Sequence, residues 1–196
     1  MNENFIVINI NELINEDSQT GEDLEKIISS FSCPKNNELE FFFKNNCVEF
    51  AKRGVSVSYF VVSSKDDEML GYFTLTIKPL TVPNSNNFNR KTREAIERFG
   101  MNNEDSYTLP AYLIAQLGKN YTNQNNTKIK GEQLMRLALN KIKEIQNSIG
   151  GRVVFLEYAD NEKLQKFYQE NGFTEFGDRT TKEGQTLIQA LRIVRP

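Results

Sequence analysis

The residues with the plainest use for chemistry gather where a polar loop meets the start of a long helix. Gly131 opens an apolar periodicity, and Lys128 and Lys130 stand just before it. The first turn of a helix leaves its backbone N–H groups unpaired and carries positive partial charge, so it attracts anions. A glycine at that point removes a side chain that would obstruct a close ligand. Between Lys119 and Lys143 there are six basic residues and one acid, Glu132. A pyrophosphate would be held well there. The same residues equally describe a glycine-started helix with solvated lysines, and from this loop alone that plainer reading is favoured.

What the chain lacks narrows the chemistry. Its 196 residues include no histidine. That removes the Ser-His and Cys-His pairs and most catalytic zinc sites, and no metal is expected. Cys47 lies on an apolar helical stripe and reads as a buried small hydrophobe. Cys33 precedes Pro34, where it can be exposed. A disulfide between the two is not expected in the cytosol.

The elements that must position this loop run from Tyr112 to Phe173. The apolar run Tyr112–Leu117 predicts a strand ended by Gly118, and Lys119–Lys130 is an Asn- and Lys-rich loop. From Gly131, the residues Leu134, Leu137, Ala138, Ile142, Ile145 and Ile149 share one helical face, with Arg136, Lys141 and Lys143 opposite. Gly150 and Gly151 break this helix. Val153–Leu156 is wholly apolar, as expected of a strand covered on both faces. Asp160 can cap a second helix whose Leu164, Phe167 and Tyr168 share a face, and Gly172 suits the left-handed residue that closes it.

Upstream, Phe5–Ile10 has strand composition, and Thr20–Asp23 looks like a helix start. Asn37 can cap a helix carrying Leu39, Phe42, Phe43, Cys47, Phe50 and Ala51. The adjacent Phe41, Phe42 and Phe43 exceed what one core-facing stripe needs. Val55–Val62 and Met69–Ile77 read as a strand pair around a polar turn, ended by Pro79 and Pro83. Asn84–Asn89 is a flexible connector. Arg90–Phe99 predicts a short helix with Ile96 and Phe99 inward, and Met101–Leu109 reads as a loop. Phe173–Phe176 and Gln185–Val194 are the closing strands around a turn-rich Gly177–Gly184.

This order predicts a single domain over residues 1–196, α+β or mixed α/β, with one central mixed sheet flanked by helices. One strand–helix–strand piece should form a parallel pair with a right-handed crossover. No apolar run approaches the length that spans a bilayer, so no membrane partner is expected and a cytoplasmic location is the default. The formal net charge is −2, with no global attraction to nucleic acid.

Several segments together resemble the GNAT N-acetyltransferases, and more narrowly the branch containing the tRNA-acetylating toxins. Phe31-x-Cys33 followed by Leu39–Phe42 looks like that branch's start and first helix. Val57–Val62, Leu70–Leu75 and Leu109–Gly118 look like its second, third and fourth strands. Tyr168-x-x-x-Gly172-Phe173 looks like the motif of its last helix and strand and is the most specific item. The resemblance implies a cofactor-binding core over about residues 107–176, with acetyl-CoA as co-substrate. The pantetheine arm would meet main-chain groups at Leu117, Gly118 and Lys119, and Asn161 matches an Asn that bonds it, although taken alone it reads equally as a helix cap. The phosphate loop would be Lys128-x-x-Gly131-x-Gln133, with Lys130, Glu132 and Leu134 beside it. Lys128 stands where the family has Arg or Gln, and Gln133 where it has a small residue, which narrows the approach.

What the resemblance implies for mechanism is direct attack of a neutral primary amine on the thioester, with Tyr168 as the acid that protonates the leaving thiolate. For the base, Glu157 after the apolar strand, a water chain and an amine arriving neutral stand as alternatives. Three functional readings follow: an N-acetyltransferase on an unidentified amine, the acetylation of an aminoacyl-tRNA, and a silent GNAT-fold interaction module. A sequence pI of about 5.4 opposes tRNA, while Arg90–Arg98 and Lys119–Lys143 supply local basic clusters. The Phe41 cluster and the Asn84–Asn89 connector can serve a protein partner or a homodimer.

Overall fold

In the computed structural model the described residues are 5–14, 18–84 and 88–195. Side chains are described outside 15–23. The expected helix start at Thr20–Asp23, as far as it rests on side chains, and part of the Asn84–Asn89 connector lie outside these residues.

In chain order the elements are β1 (Phe5–Asn9), α1 (Ile10–Ile14), α2 (Ser18–Ser29), α3 (Asn37–Asn45), α4 (Cys47–Lys52), β2 (Val57–Ser63) and β3 (Met69–Pro83). Then come α5 (Arg90–Phe99), β4 (Met101–Asn103), β5 (Ser106–Lys119), a 3-10 segment at Thr122–Thr127 and α6 (Gly131–Ile149). The chain closes with β6 (Val153–Ala159), α7 (Glu162–Glu170), β7 (Thr174–Thr180) and β8 (Thr186–Ile193). The strands hydrogen-bond in the order β1-β2-β3-β5-β6-β8-β7, with β4 on β5. β5 and β6 are the expected parallel pair, with Tyr112 opposite Val154 and Leu113 opposite Phe155. The β1–β2, β2–β3, β6–β8 and β7–β8 pairs are antiparallel, so the sheet is mixed, as expected.

By its internal contacts the chain forms two compact units. One is Met1–Thr76 with Ala115–Leu139, the other Ile77–Ile114 with Asn140–Pro196. The first unit has an aromatic core in which Phe31, Phe43, Phe60 and Tyr72 are fully buried. The Phe43 and Tyr72 ring centroids lie 4.4 Å apart, and the Tyr72 hydroxyl donates to the Leu39 carbonyl at 2.7 Å. The second unit packs Leu80, Val82, Ile96 and Leu109 with Val153, Phe155, Phe176 and Leu191.

Several boundaries differ from the sequence expectation. Asn36, not Asn37, caps α3 by accepting from the Leu39 amide at 3.0 Å. The expected single helix is two, broken at Asn46. Of the three phenylalanines, Phe43 is buried, Phe42 meets Phe50 edge-on, and Phe41 is 63% exposed. Phe99, expected inward, is exposed, and Cys33 is buried. β3 runs past Pro79 to Pro83, and β5 begins at Ser106, before the expected Tyr112. The expected loop before it holds β4, whose three residues pair with Ser106–Thr108 as a hairpin. β7 reaches Thr180, well into the expected turn. On α6, Leu134, Ala138 and Ile142 are buried as predicted, whereas Ile149 is exposed and Met135 is buried instead.

Candidate active site

β5 delivers the chain to the expected phosphate loop. Gly118 lies inside the strand and does not end it, because Lys119 is still extended. Its neighbourhood is crowded. A Cβ at Gly118 would meet Leu39 Cδ2 at 2.4 Å, and one at Gly71 would meet the Gly118 carbonyl oxygen at 2.5 Å. Leu117 and Lys119, on either side, are half-buried.

The following loop is held from inside by polar side chains. Asn120 is buried; its Oδ1 accepts from the Ser32 and Thr122 amides at 3.0 and 3.1 Å, and its Nδ2 donates to the Met69 carbonyl at 2.9 Å. Asn125 is fully buried and donates to Glu68 Oε2 at 2.9 Å and to the Met69 carbonyl at 3.2 Å. Lys119 Nζ donates to the carbonyls of Asn126 at 2.9 Å and Ile129 at 3.4 Å. Burial, with the nearby Lys35 charge, lowers its pKa. Asn123 and Gln124 adopt φ of 51° and 58°, a left-handed turn that Asn tolerates better than most residues. Reading the sequence identified Lys119 but missed Asn120 and Asn125. The Asn-rich composition reads as solvent-facing, and no local pattern separates a buried Asn from an exposed one.

At the start of α6, the Lys130 carbonyl accepts from the Gln133 and Leu134 amides at 3.1 Å each. The Gln133 Oε1 turns back to accept from the Lys130 amide at 2.7 Å, which is half of a capping box. The Gln133 carboxamide is therefore engaged at the helix's own end. Gly131 and Glu132 supply the first-turn amides that a helix leaves without an intrahelical acceptor. Leu134 is buried and anchors the turn, while Lys130 and Glu132 are exposed. Lys128 Nζ pairs with Asp66 Oδ2 at 2.7 Å. Bonds from Lys128, first, and Ser63 hold the Asp66 carboxyl down at about 2.

The second unit carries the other predicted residues. Asn161, not Asp160, caps α7: its Oδ1 accepts from the Lys163 and Leu164 amides at 2.9 and 3.3 Å. Tyr168 is half-buried among rings, with centroids 4.7 Å from Tyr158, 5.1 Å from Phe167 and 6.1 Å from Phe173. Burial pushes its phenol up to about 12. Gly172 closes α7 at φ 78°, and the Arg192 guanidinium donates to the Asn171 carbonyl beside it. Glu157, one candidate base, is held by Arg179 and by Gln189 Nε2 at 2.7 Å. Burial raises its pKa, but these partners outweigh burial and the net shift is downward. A carboxylate so engaged is a poor proton acceptor.

No family model and no curated protein matches the chain. Solved structures do match it. AtaT complexed with acetyl-methionyl-tRNAfMet superposes with a TM-score of 0.63 at 16% identity, covering 94% of this chain and 93% of that one. A Tyr-to-Phe mutant of KacT gives 0.62 at 18% identity, covering 95% of both chains. A structure described as a bacterial toxin gives 0.63 at 12%, covering 96% of this chain and 90% of that one.

The chain has the GNAT fold. The resemblance read from Phe31-x-Cys33, the strand segments and Tyr168-x-x-x-Gly172-Phe173 thus holds at the level of the fold. Within the GNAT fold, the end of β5 from Ala115, its polar loop and the start of α6 lie in the first unit, while Asn161 and Tyr168 lie in the second. Among the described residues no group of three or more Asp, Glu, Cys or His side chains comes together to hold a metal, and no helix is long and apolar enough to cross a membrane.

Proposed function

We propose that the chain, acting as one domain, is an acetyl-CoA-dependent N-acetyltransferase. The observation that carries this is the GNAT fold, joined to a helix start at Gly131 whose remaining first-turn amides suit a diphosphate. A structure of AtaT is described as bound to acetyl-CoA, which supports the same cofactor here. The Gly131 and Glu132 amides would take the diphosphate, with Lys130 nearby and Lys128 recruited from Asp66. Main-chain groups of Leu117, Gly118 and Lys119 would meet the pantetheine arm. Asn161 commits its Oδ1 to the α7 cap, leaving its Nδ2 to donate. The location we assign is cytoplasmic.

Tyr168 is the general acid in this reading. Among the described residues its hydroxyl makes no hydrogen bond, and a phenol raised to about 12 keeps its proton throughout the neutral range. It donates to the sulfur as the thioester C–S bond breaks and the amine nitrogen bonds to the carbonyl carbon. Glu157, tied to Arg179, is set aside as base; the amine arrives neutral, and the proton its nitrogen loses on becoming an amide returns through water to the Tyr168 phenolate left by protonating the sulfur.

For the acceptor, the description of AtaT with acetyl-methionyl-tRNAfMet favours the amino group of an aminoacyl-tRNA. Incubating the chain with acetyl-CoA and charged tRNA, then with simple amines, tests both levels. Acetylated aminoacyl-tRNA supports the sharper reading, acetylated amine alone supports the broader one, and no transfer to either, with no acetyl-CoA binding, leaves the interaction module.

A further inference from the structure

Tyr158 and Glu175 take no part in the cofactor reading, yet Tyr158 packs against Tyr168 and Glu175 bonds Tyr158. α7 has no buried residue, so the helix that carries Tyr168 is weakly seated by its own side chains. Among the described residues the Tyr168 hydroxyl has no hydrogen bond to hold it. Its direction is therefore set by the rings it touches, and the 4.7 Å contact with Tyr158 is the shortest of the three.

Tyr158 is itself pinned. It is buried on β6, and its hydroxyl donates to Glu175 Oε1 at 2.6 Å. Glu175 sits on β7 where the register with β8 shifts between Glu175 and Gly177. Such irregularities re-aim side chains. Ring packing alone would be served by phenylalanine at 158, without the cost of burying a hydroxyl. Burial, then the Glu175 bond and charge, raise the Tyr158 pKa, so this phenol stays protonated and acts by its position.

We infer that Glu175, through Tyr158, is a positioning residue for Tyr168: the carboxylate fixes the Tyr158 ring, and that ring fixes the direction in which Tyr168 presents its hydroxyl. This rests on the transferase reading for its catalytic consequence, but not for its geometry. Misdirecting an acid by about 1 Å costs up to roughly a hundredfold in rate.

The test uses the full chain with Glu175→Gln, Glu175→Leu, Tyr158→Phe and the Glu175→Leu/Tyr158→Phe double variant. Turnover of acetyl-CoA is followed with charged tRNA and simple amines as acceptors. Glu175→Gln keeps an acceptor for the Tyr158 hydroxyl and should stay within about threefold of the parent. Glu175→Leu and Tyr158→Phe should each lower kcat roughly ten- to hundredfold. KM for acetyl-CoA should not change, and the double variant should be no worse than either single one. Equal losses in Gln and Leu, additive losses, or a shift confined to KM would overturn the inference. Ring signals of 13C-tyrosine-labelled protein give a readout independent of turnover. Tyr168, assigned with Tyr168→Phe, should move markedly in Glu175→Leu and stay put in Glu175→Gln, with Tyr59, stacked on Phe73 at 5.2 Å, as the unmoved control. An unmoved Tyr168 signal in Glu175→Leu would overturn the positioning role. Failure of the parent chain to turn over any acceptor would count against the transferase reading, while the ring signals would still decide the positioning.

Discussion

Tyr168 holds a proton that neutral solution does not remove, and it has no partner among the described residues to share that proton with. Replacing it with phenylalanine keeps the ring packing and deletes the donor. Tyr168→Phe should therefore lower turnover about 10²- to 10⁴-fold while leaving acetyl-CoA affinity unchanged, read by steady-state kinetics beside calorimetry. The raised phenol also has a stability signature. A group whose folded pKa lies above its unfolded value contributes stability that is complete below the unfolded value and is lost as pH rises through the folded one. For Tyr168 that window runs from 10 to about 12. Denaturant unfolding between pH 9 and 11 should thus show a shallower loss in Tyr168→Phe than in the parent. Lys128 makes a solvent-exposed pair with Asp66, so water screens the attraction and the pair adds little to stability. Asp66→Asn should leave stability nearly unchanged and tighten acetyl-CoA binding as Lys128 is released, whereas Lys128→Ala should weaken it. An unchanged affinity in both variants would remove Lys128 from the phosphate site.

At the scale of elements, the loop between β5 and α6 is shaped by close contacts and buried amides. Asn120→Ala would strand the Ser32 and Thr122 amides, while the Met69 carbonyl keeps its bond from Asn125, and should cost about 2–4 kcal/mol in denaturant unfolding. Gly71→Ala drives a Cβ against the Gly118 backbone, and Gly118→Ala drives one against the Leu39 side chain. The first should destabilise more, because a side chain yields where a backbone does not; adding Leu39→Ala should partly rescue only the second. The long periodic elements were legible in the sequence: α6 starts at Gly131, β6 covers the apolar run and Gly172 ends α7. Edges were less legible. β3 crosses Pro79 because its residues there are exposed, and Phe99 faces outward although helical spacing assigned it inward. Cap identity slipped by one residue at Asn36, and at α7 both Asp160 and Asn161 stood open as caps, since neighbouring Asn and Asp residues are equally able to cap. The Gln133 fold-back onto Lys130 and the Tyr158–Glu175 bond join residues whose partners depend on tertiary approach or local rotamer, and nothing in the local pattern announces them.

For the molecule as a whole, the acidic balance constrains the acceptor. With a net charge of −2, tRNA must be met by local basic clusters and not by the overall field. Retention of bulk tRNA on a filter should then fall steeply between low and moderate salt, and no retention at low salt would exclude the aminoacyl-tRNA acceptor. The fold likeness spans 94% of the chain at 16% identity in the AtaT complex, so the architecture is shared while most side chains are not. The cofactor is where shared architecture and this chain's own residues must agree. Calorimetric titration with acetyl-CoA, with free CoA alongside, asks this directly. Saturable binding in the micromolar range, weakened by Lys128→Ala and unchanged by Tyr168→Phe, is the predicted result. No heat of binding up to millimolar acetyl-CoA would contradict the transferase function and leave a GNAT-fold interaction module in its place.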